Sequence, residues 1–211
     1  RAIPKGLISS KEAWVFILFS FVLLFVAAFQ LHPIAVKLLP VAVFFLVFYS
    51  YTKRFTWLCH IFLGITIALA PLGGWVAITG DFSLTAIILY VSIVFWTAGF
   101  DIVYACQDVE FDRKERIYSI PSRFGVQKSL WIARTFHIIT AAGLISLSWI
   151  TDLGIWYLVG VIISVGILFY EHILVKPTDL SKVNVAFFTM NGTLSVVVFV
   201  FTLVDLVVQH G

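Results

Sequence analysis

Long apolar runs interrupted by few charged residues follow one another along almost the whole chain. The stretches without Asp, Glu, Lys or Arg cover 13–36, 38–52, 55–80, 82–100, 135–151, 153–170 and 183–204. A helix needs roughly 20 apolar residues to cross about 30 Å of hydrocarbon. Because backbone polar groups find no water in lipid, each run is expected to be a helix. With ends set by turn residues and prolines, the pattern predicts seven membrane-spanning helices near 12–31, 34–52, 57–79, 84–108, 127–150, 153–175 and 184–208.

The composition agrees with a membrane protein. Of the 211 residues, 61% are apolar and only 12% are charged, and the mean hydropathy is +1.05. These values exclude a soluble globular domain, a disordered chain and a nucleic-acid-binding module. We therefore expect one membrane domain over 1–211, an all-α integral membrane bundle. Cys59 and Cys106 lack a CxxC spacing, so both are expected to be reduced packing residues.

The basic residues predict the orientation of the bundle. If the seven spans alternate in direction, only Lys37 of the 14 basic residues lies on one side of the membrane. The other side receives Arg1, Lys5, Lys11, Lys53, Arg54, Arg113, Lys114, Arg116, Arg123, Lys128, Arg134, Lys176 and Lys182. Positive residues concentrate on the cytoplasmic side of membrane proteins. We therefore expect a multi-pass protein of the inner or plasma membrane with its charged loops in the cytoplasm.

Acidic residues mark the end of the fourth span and the long connection after it. At about 100° per residue, Asp101, Tyr104, Asp108 and Asp112 fall on one face of a helix, and Glu110 points the opposite way. Carboxylates stacked in this way repel each other unless a cation lies between them. Mg²⁺ takes one or two protein carboxylates and completes its shell with water and phosphate oxygens. A solvated salt-bridge cluster at a helix end is the alternative interpretation.

A carboxylate inside an apolar run is a stronger indication of function. Asp101 lies within the fourth span, where a charge is costly unless it faces a polar cavity. On the same predicted side, Tyr49 and Lys53 lie one turn apart, and Arg54 adds a donor suited to carboxylate or phosphate. Alone, Lys53 and Arg54 would be interpreted as basic residues that only determine the orientation of the helix in the membrane. Together with the acidic cluster they indicate a site for an anionic, metal-bound substrate.

Other polar residues in or near the spans receive structural interpretations. We expect His60 and His137 to form hydrogen bonds between helices and not to bind metal. Glu171, His172 and Asp205 lie near predicted helix ends, where their polar groups can reach the membrane surface by snorkelling.

The motif residues resemble those of the UbiA superfamily of intramembrane aromatic prenyltransferases, in its 4-hydroxybenzoate polyprenyltransferase-like branch. The pattern Asp101-xx-Tyr104-Ala-x-Gln107-Asp108-xxx-Asp112 with the following 118–125, Tyr-Ser-Ile-Pro-Ser-Arg-Phe-Gly, is similar to the family's second aspartate-rich motif and its loop. Tyr49-xxx-Lys53-Arg54 is similar to the YxxxK element. The resemblance covers essentially the full chain and implies that the seven spans correspond to helices three to nine of a nine-helix fold.

The resemblance implies Mg²⁺-dependent transfer of a polyprenyl group from an allylic diphosphate to an aromatic acid, as in the biosynthesis of ubiquinone. 4-Hydroxybenzoate is the favoured acceptor, and a naphthoate acceptor of menaquinone synthesis is the alternative. The implied partners are these two substrates and the bilayer, with no nucleic acid and no obligatory protein partner. A transporter or channel with Asp101, Asp108 and Asp112 in a cation path is the alternative of another class.

The resemblance also implies roles for individual residues. Asp108 and Asp112 would bind Mg²⁺, and Lys53 and Lys114 would contact diphosphate. Tyr49 and Tyr104 would line the path of the allylic cation. The remaining implied roles are acceptor carboxylate binding for Arg54, orientation or deprotonation of the acceptor phenol for Asp101, and shaping of the loop over the site for Ser119 and Arg123.

The sequence departs from the family pattern at its beginning. The family carries a first motif of the NDxxDxxxD type on its second helix, followed by an Arg- and Pro-rich loop. Residues 1–13 resemble the end of that loop and the start of the third helix. We therefore expect a chain that lacks the first motif and two helices, and that is inactive if the missing half of the metal-diphosphate site is essential.

Overall fold

A computed structural model describes residues 8–210 and contains nine α-helices within that range. A 3₁₀ turn, Cys106–Asp108, and a π-helical turn, Val185–Met190, interrupt the regular helices. The helices are α1 Ser10–Ala28, α2 Pro33–Thr52, α3 Cys59–Thr79, α4 Leu84–Ala105, α5 Val109–Lys114, α6 Ile120–Phe124, α7 Val126–Ile150, α8 Ile155–Leu174 and α9 Asn191–His210.

Seven helical segments are long and apolar enough to cross a membrane, in agreement with the seven predicted spans. They are α1, α2, α3, the run Leu84–Lys114, α7, α8 and the run Val185–Gln209. The all-α membrane fold is therefore confirmed. The sides of the membrane on which the loops lie stay a prediction. The resemblance of residues 1–7 to a family loop falls outside the described residues.

Local side chains explain where several helices begin and end. Ser9 and Glu12 form a reciprocal capping box at the start of α1, with Ser9 N donating to Glu12 Oε2 at 2.7 Å. Ser83 caps α4 by accepting a hydrogen bond from Ala86 N. Gly80 ends α3 with φ 74°, a conformation that costs glycine little. Its backbone also lies against the ring of His32, where a Cβ would not fit.

Successive spans pack against one another in chain order. The main contacts join α2 to α3, α3 to α4, α4 to α7, α7 to α8 and α8 to α9. α1 touches the bundle only lightly through α2, and its large apolar side chains are exposed, as Trp14 at 64% and Phe16 at 71% illustrate. In a bilayer these side chains face lipid, so their exposure carries no cost.

Glycines allow the central helices to approach closely. A Cβ on Gly64 of α3 would collide with the backbone carbonyl oxygen of Val94 on α4. A Cβ on Gly99 of α4 would collide with the ring of His137 on α7. Small residues of this kind are how membrane helices gain packing contacts, because lipid supplies no hydrophobic drive for association.

Asp205 near the end of α9 has a different role from the predicted one. The expectation of snorkelling is wrong, because Asp205 is 1% exposed. Its carboxylate accepts hydrogen bonds from the backbone N–H groups of Gly154, Trp156 and Tyr157, at 2.6, 3.1 and 3.3 Å. These amides belong to the first turn of α8 and have no intrahelical partner. Asp205 therefore caps α8 from a neighbouring helix.

Glu171 and His172 of α8 also turn inward, contrary to the snorkelling expectation. Glu171 is 1% exposed, and among the described residues neither of its carboxylate oxygens has a hydrogen-bond partner. His172 Nε2 lies 3.0 Å from His137 Nδ1, while His137 Nε2 lies 3.4 Å from the carbonyl oxygen of Trp96. The prediction that His137 bonds between helices is confirmed. Packing of α7 against α8 buries His137 and Glu171.

The close approach of α3 and α4 gives a test of the fold. We expect Gly64→Ala to destabilise the protein by about 1–3 kcal/mol, because the new Cβ meets a backbone oxygen that cannot rotate away. Gly73→Ala in the same helix is the matched control, since a Cβ there has no neighbour within 4 Å among the described residues. Thermal unfolding in detergent measures both variants. Equal melting temperatures for the two variants would contradict the close contact.

Candidate active site

The non-helical segment Ile117–Ser119 and Ile120, the first residue of α6, join the ends of helices that are far apart in sequence. Tyr118 N donates to the carbonyl oxygen of Lys53 at 2.8 Å, which ties the segment to the end of α2. Ile117 N donates to the carbonyl oxygen of Asp112 at 2.8 Å, so the segment starts against α5. The basic cluster after α2 and the acidic cluster after α4 therefore lie at the same end of the bundle.

Asp112 is the buried acid of this cluster, at 2% exposed. Ser119 Oγ donates to Asp112 Oδ2 at 2.7 Å, and the same oxygen lies 3.9 Å from Lys53 Nζ. A buried carboxylate is tolerated when it is paired and hydrogen-bonded. The structure thus brings together three of the residues that the sequence singled out.

Ser119 also organises the backbone around it. Its hydroxyl oxygen accepts a hydrogen bond from Ser122 N at 3.1 Å while its own proton goes to Asp112. Ser122 Oγ in turn accepts from Ser119 N at 2.9 Å, which completes a capping box at the start of α6. The orientation of Asp112 is therefore linked to the start of a five-residue helix.

Asp101 is joined to a residue that the motifs did not include. His60 Nδ1 lies 2.6 Å from Asp101 Oδ2, and His60 Nε2 accepts a hydrogen bond from Ile120 N at 3.3 Å. The prediction that His60 bonds between helices is confirmed, but its link to Asp101 was missed. The two residues are 41 positions apart, so no helical periodicity relates them.

The predicted single stripe of Asp101, Tyr104, Asp108 and Asp112 assumes one regular α-helix, and the structure interrupts that helix. α4 ends at Ala105, and the 3₁₀ turn carries the chain into α5. A 3₁₀ turn advances about 120° per residue, so it rotates the later carboxylates away from an ideal α-helical stripe. Asp108 is half-buried and Asp112 buried. The side chain of Glu110 is 92% exposed, as expected for the opposite face.

A cluster of aromatic rings lies beside Asp101 and the acidic turn. The Tyr104 ring centroid is 4.3 Å from that of Phe187, and Phe100 is 5.3 Å from Phe187. Phe188 is 6.3 Å from Tyr104. Phe187 and Phe188 belong to the π turn before α9, a feature that sequence analysis did not anticipate. The last span therefore contributes two rings to the neighbourhood of the fourth.

Asn191 fixes this π turn. Its Nδ2 donates to the carbonyl oxygens of Ala186 and Phe187 at 3.1 and 3.0 Å. Its Oδ1 accepts from Trp96 Nε1 at 2.8 Å, a contact between α9 and α4. An asparagine inside an apolar span was the signal available in the sequence, because such residues bond between membrane helices.

The other predicted site residues lie around this centre. Arg54 is exposed, with its guanidinium 5.2 Å from the centroid of the Tyr51 ring. Arg123 is exposed over Trp57 at 5.1 Å. Lys114 is exposed as well, and Tyr49 is half-buried one turn before Lys53. Their assigned contacts with substrate stay predictions.

The donor set is compatible with Mg²⁺ bound mainly by substrate and water. Among residues 8–210, no group of three or more His, Cys, Asp or Glu side chains is arranged to bind a metal. Mg²⁺ does not need such a group, because it binds through one or two carboxylates together with phosphate oxygens and water. Asp108 and Asp112 fit that requirement, and their role as metal ligands stays a prediction.

Both predicted packing cysteines are free and buried. Cys59 Sγ lies 3.6 Å from the carbonyl oxygen of Tyr118, so it packs beneath the non-helical segment. Cys106 belongs to an apolar cluster with Ile102, Ile120 and Val183. The cluster provides the packed base on which the turn after α4 and the start of α6 rest.

The fold and the site define a polytopic helical membrane protein whose acidic and basic groups meet at one end of the bundle, next to aromatic rings. The sequence profile of the UbiA prenyltransferase family matches residues 1–193, and the chain belongs to that family.

Curated relatives agree with this assignment. The chain is 30% identical over 191 residues to the 4-hydroxybenzoate octaprenyltransferase of Vibrio atlanticus (strain LGP32), covering 90% of this chain and 67% of the relative. It is 31% identical over 195 residues to the enzyme of that name from Shewanella sp. (strain MR-4), covering 90% of this chain and 66% of the relative. The chain thus spans about two thirds of the length of these relatives.

Solved structures share the fold. A UbiA homolog from Aeropyrum pernix K1 in its apo form superposes with a TM-score of 0.86 at 26% identity, covering 95% of this chain and 74% of that one. A digeranylgeranylglyceryl phosphate synthase superposes with a TM-score of 0.74 at 23% identity, covering 97% of this chain and 73% of that one. The second likeness concerns the fold alone.

The hydrogen bonds of Asn191 give a test of the π turn. We expect Asn191→Ala to destabilise the protein by about 1–3 kcal/mol, because it removes the acceptor of Trp96 Nε1 and two hydrogen bonds to backbone carbonyls. Asn184→Ala is the matched control, since Asn184 is exposed just before the same turn. Thermal unfolding in detergent compares the two. An unchanged melting temperature for Asn191→Ala would show that these bonds do not stabilise the turn.

Proposed function

We propose that this protein transfers a polyprenyl group from an allylic diphosphate to 4-hydroxybenzoate, in a Mg²⁺-dependent reaction of quinone biosynthesis. Membership of the family and the similarity to 4-hydroxybenzoate octaprenyltransferases support prenyl transfer to an aromatic acid. The observation that carries the proposal is the meeting of Lys53, Ser119 and Asp112 at one end of a membrane bundle. This end offers charged groups to a diphosphate while the bundle offers apolar surface to a polyprenyl chain.

The diphosphate would lie at the charged end of the bundle. The Lys53 side chain is 40% exposed, so its ammonium group can turn to a substrate oxygen while Asp112 keeps that group near the site. Lys114 and Arg113 are exposed at the end of α5 and add positive potential there. These cations stabilise the charge that grows on the diphosphate as the carbon–oxygen bond breaks.

Asp108 and Asp112 are the residues that would hold Mg²⁺. When bound, the ion neutralises diphosphate oxygens and so stabilises the leaving group. Ser119 orients Asp112 for this task through the bond to Oδ2, which leaves Oδ1 as the other oxygen available to a ligand.

The aromatic cluster would surround the allylic carbon. As the electron pair of the breaking bond leaves with diphosphate, positive charge develops on the prenyl group. The faces of Tyr104, Phe100 and Phe187 can attract that charge through cation–π interactions, which are strongest where water is excluded. Where the bound substrates exclude water from these rings, the ring carbon of the acceptor is the available nucleophile.

Asp101 would act on the aromatic acceptor. Its side chain is 20% exposed, and its Oδ2 is engaged by His60. The other oxygen, Oδ1, would accept a hydrogen bond or a proton from the acceptor phenol. Withdrawal of that proton makes the neighbouring ring carbon more electron-rich, and the ring then loses a proton after the new carbon–carbon bond forms. Arg54 is proposed to pair with the acceptor carboxylate.

Product formation in membranes tests the proposal directly. Membranes carrying the chain are incubated with geranyl diphosphate, 4-hydroxybenzoate and Mg²⁺, and the product is identified by mass spectrometry. If the gene encodes residues before Arg1, a second sample includes them. We expect prenylated 4-hydroxybenzoate that disappears when EDTA replaces Mg²⁺. Product only with a naphthoate acceptor would contradict the proposed acceptor, and no transfer to either acceptor would contradict prenyl transfer.

Exchange of the two proposed metal ligands tests the role of the acidic turn. We expect Asp108→Asn and Asp112→Asn each to lower Mg²⁺-dependent turnover at least about 100-fold, because an amide binds Mg²⁺ more weakly than a carboxylate does. Glu110→Gln in the same turn is the control and should retain activity, since its side chain faces solvent. Expression and melting temperature in detergent confirm folding. Normal turnover in both aspartate variants would exclude them as metal ligands.

A further inference from the structure

His60 is fully buried and joins three parts of the site. It lies at the start of α3, is 0% exposed, and contacts Asp101 on α4 and the first amide of α6. Among the histidines of the described chain, His137 is also buried, but its partners are Trp96 and His172, outside the charged end. Nothing in the motif pattern assigns His60 a role.

The two hydrogen bonds of His60 determine its tautomer. Ile120 N–H is a donor, so the Nε2 that accepts from it carries no proton. In the neutral ring the proton then lies on Nδ1, which donates to Asp101 Oδ2 at 2.6 Å. His60 therefore presents a donor to Asp101 because the backbone of α6 occupies its other nitrogen. A second hydrogen-bonding partner commonly fixes histidine tautomer and orientation in this way.

Two consecutive residues, Ser119 and Ile120, connect to the two acids of the site, Asp112 and Asp101. Ser119 bonds directly to Asp112 at 2.7 Å, and the next residue, Ile120, bonds to His60, which bonds to Asp101. Asp112 is buried and Asp101 partly exposed. The start of α6 thus sets the positions of a proposed metal ligand and of the proposed acceptor-binding acid relative to each other.

We propose that His60 is a positioning residue that orients Asp101 toward the aromatic acceptor. Through Ile120 and Ser119, it also fixes the position of Asp101 relative to Asp112. The kinetic consequence of this inference rests on the proposed function. The hydrogen bonds of His60 do not depend on it. His60 does not touch the substrate. It acts by fixing one oxygen of Asp101, so that the other oxygen meets the acceptor phenol in a defined direction.

Two amide variants separate the two bonds of His60. Asparagine can place an N–H near the position of Nδ1, and glutamine can place a carbonyl oxygen near the position of Nε2. His60→Asn therefore keeps the donor to Asp101, whereas His60→Gln keeps the acceptor for Ile120 and loses the donor. His137→Gln is the matched control for loss of a buried histidine outside the charged end.

Steady-state kinetics with the acceptor and the donor varied in turn is the activity test. We expect His60→Gln to lower kcat/KM for 4-hydroxybenzoate about 10- to 100-fold, the usual cost of losing an orienting partner. KM for geranyl diphosphate should change less than about twofold. His60→Asn should recover most of the acceptor kcat/KM. Equal losses in both variants, or equal changes toward donor and acceptor, would show a merely structural role and overturn the proposal.

A measurement without substrate keeps the inference separate from the proposed function. In protein labelled with ¹⁵N-histidine, NMR should show His60 as the Nδ1-protonated tautomer, assigned by its absence in His60→Gln. Asp101→Asn should shift that Nδ1 resonance, and His137→Gln should not. An Nε2-protonated His60 would overturn the inference. If wild type transfers no prenyl group to any acceptor, the proposed function fails while this measurement still decides the bonding of His60.

Discussion

The site depends on the hydrogen bonds made by the residues that lead into α6, Ile117–Ser119, and by Ile120 at its start. In three consecutive residues, Tyr118 bonds to the end of α2, Ser119 to Asp112, and Ile120 to His60. The N–H groups of Tyr118 and Ile120 are available to these neighbours because one lies before α6 and the other in its first turn, where neither has an intrahelical partner. Ser119 uses its side-chain hydroxyl. The segment therefore connects the ends of α2, α3 and α5 and, through His60, Asp101 near the end of α4.

Away from the charged end, hydrogen bonds and small residues stabilise the bundle in addition to apolar contacts. Asp205 caps α8 from α9, and Gly64 admits the carbonyl of Val94. In lipid, apolar side chains gain little by leaving the solvent, so such directional contacts determine which helix faces meet. A rigid base of this kind is what a site needs when its acids come from different helices.

The sequence was sufficient for the spans and for the charged end, because both follow from composition and local spacing. Apolar runs longer than about 17 residues have few alternatives to a helix in lipid. It was insufficient where contacts join distant residues. The bonds of His60 to Asp101 and of Asp205 to α8 depend on helix packing. The 3₁₀ turn before α5 departs from the regular helix that the angular projection assumed.

The π turn at Val185–Met190 has a consequence for how this chain can vary in length. A π turn accommodates one residue more than an α turn does. Deleting a residue there would restore a regular helix at little cost in backbone hydrogen bonds. Because the π turn advances less than 100° per residue, it absorbs its extra residue, and the deletion would leave the helical segments on either side in nearly the same orientation. Only side chains within the turn, such as Phe187, would change direction, so homologous chains with one residue fewer would keep the span but would have to place other rings beside Tyr104.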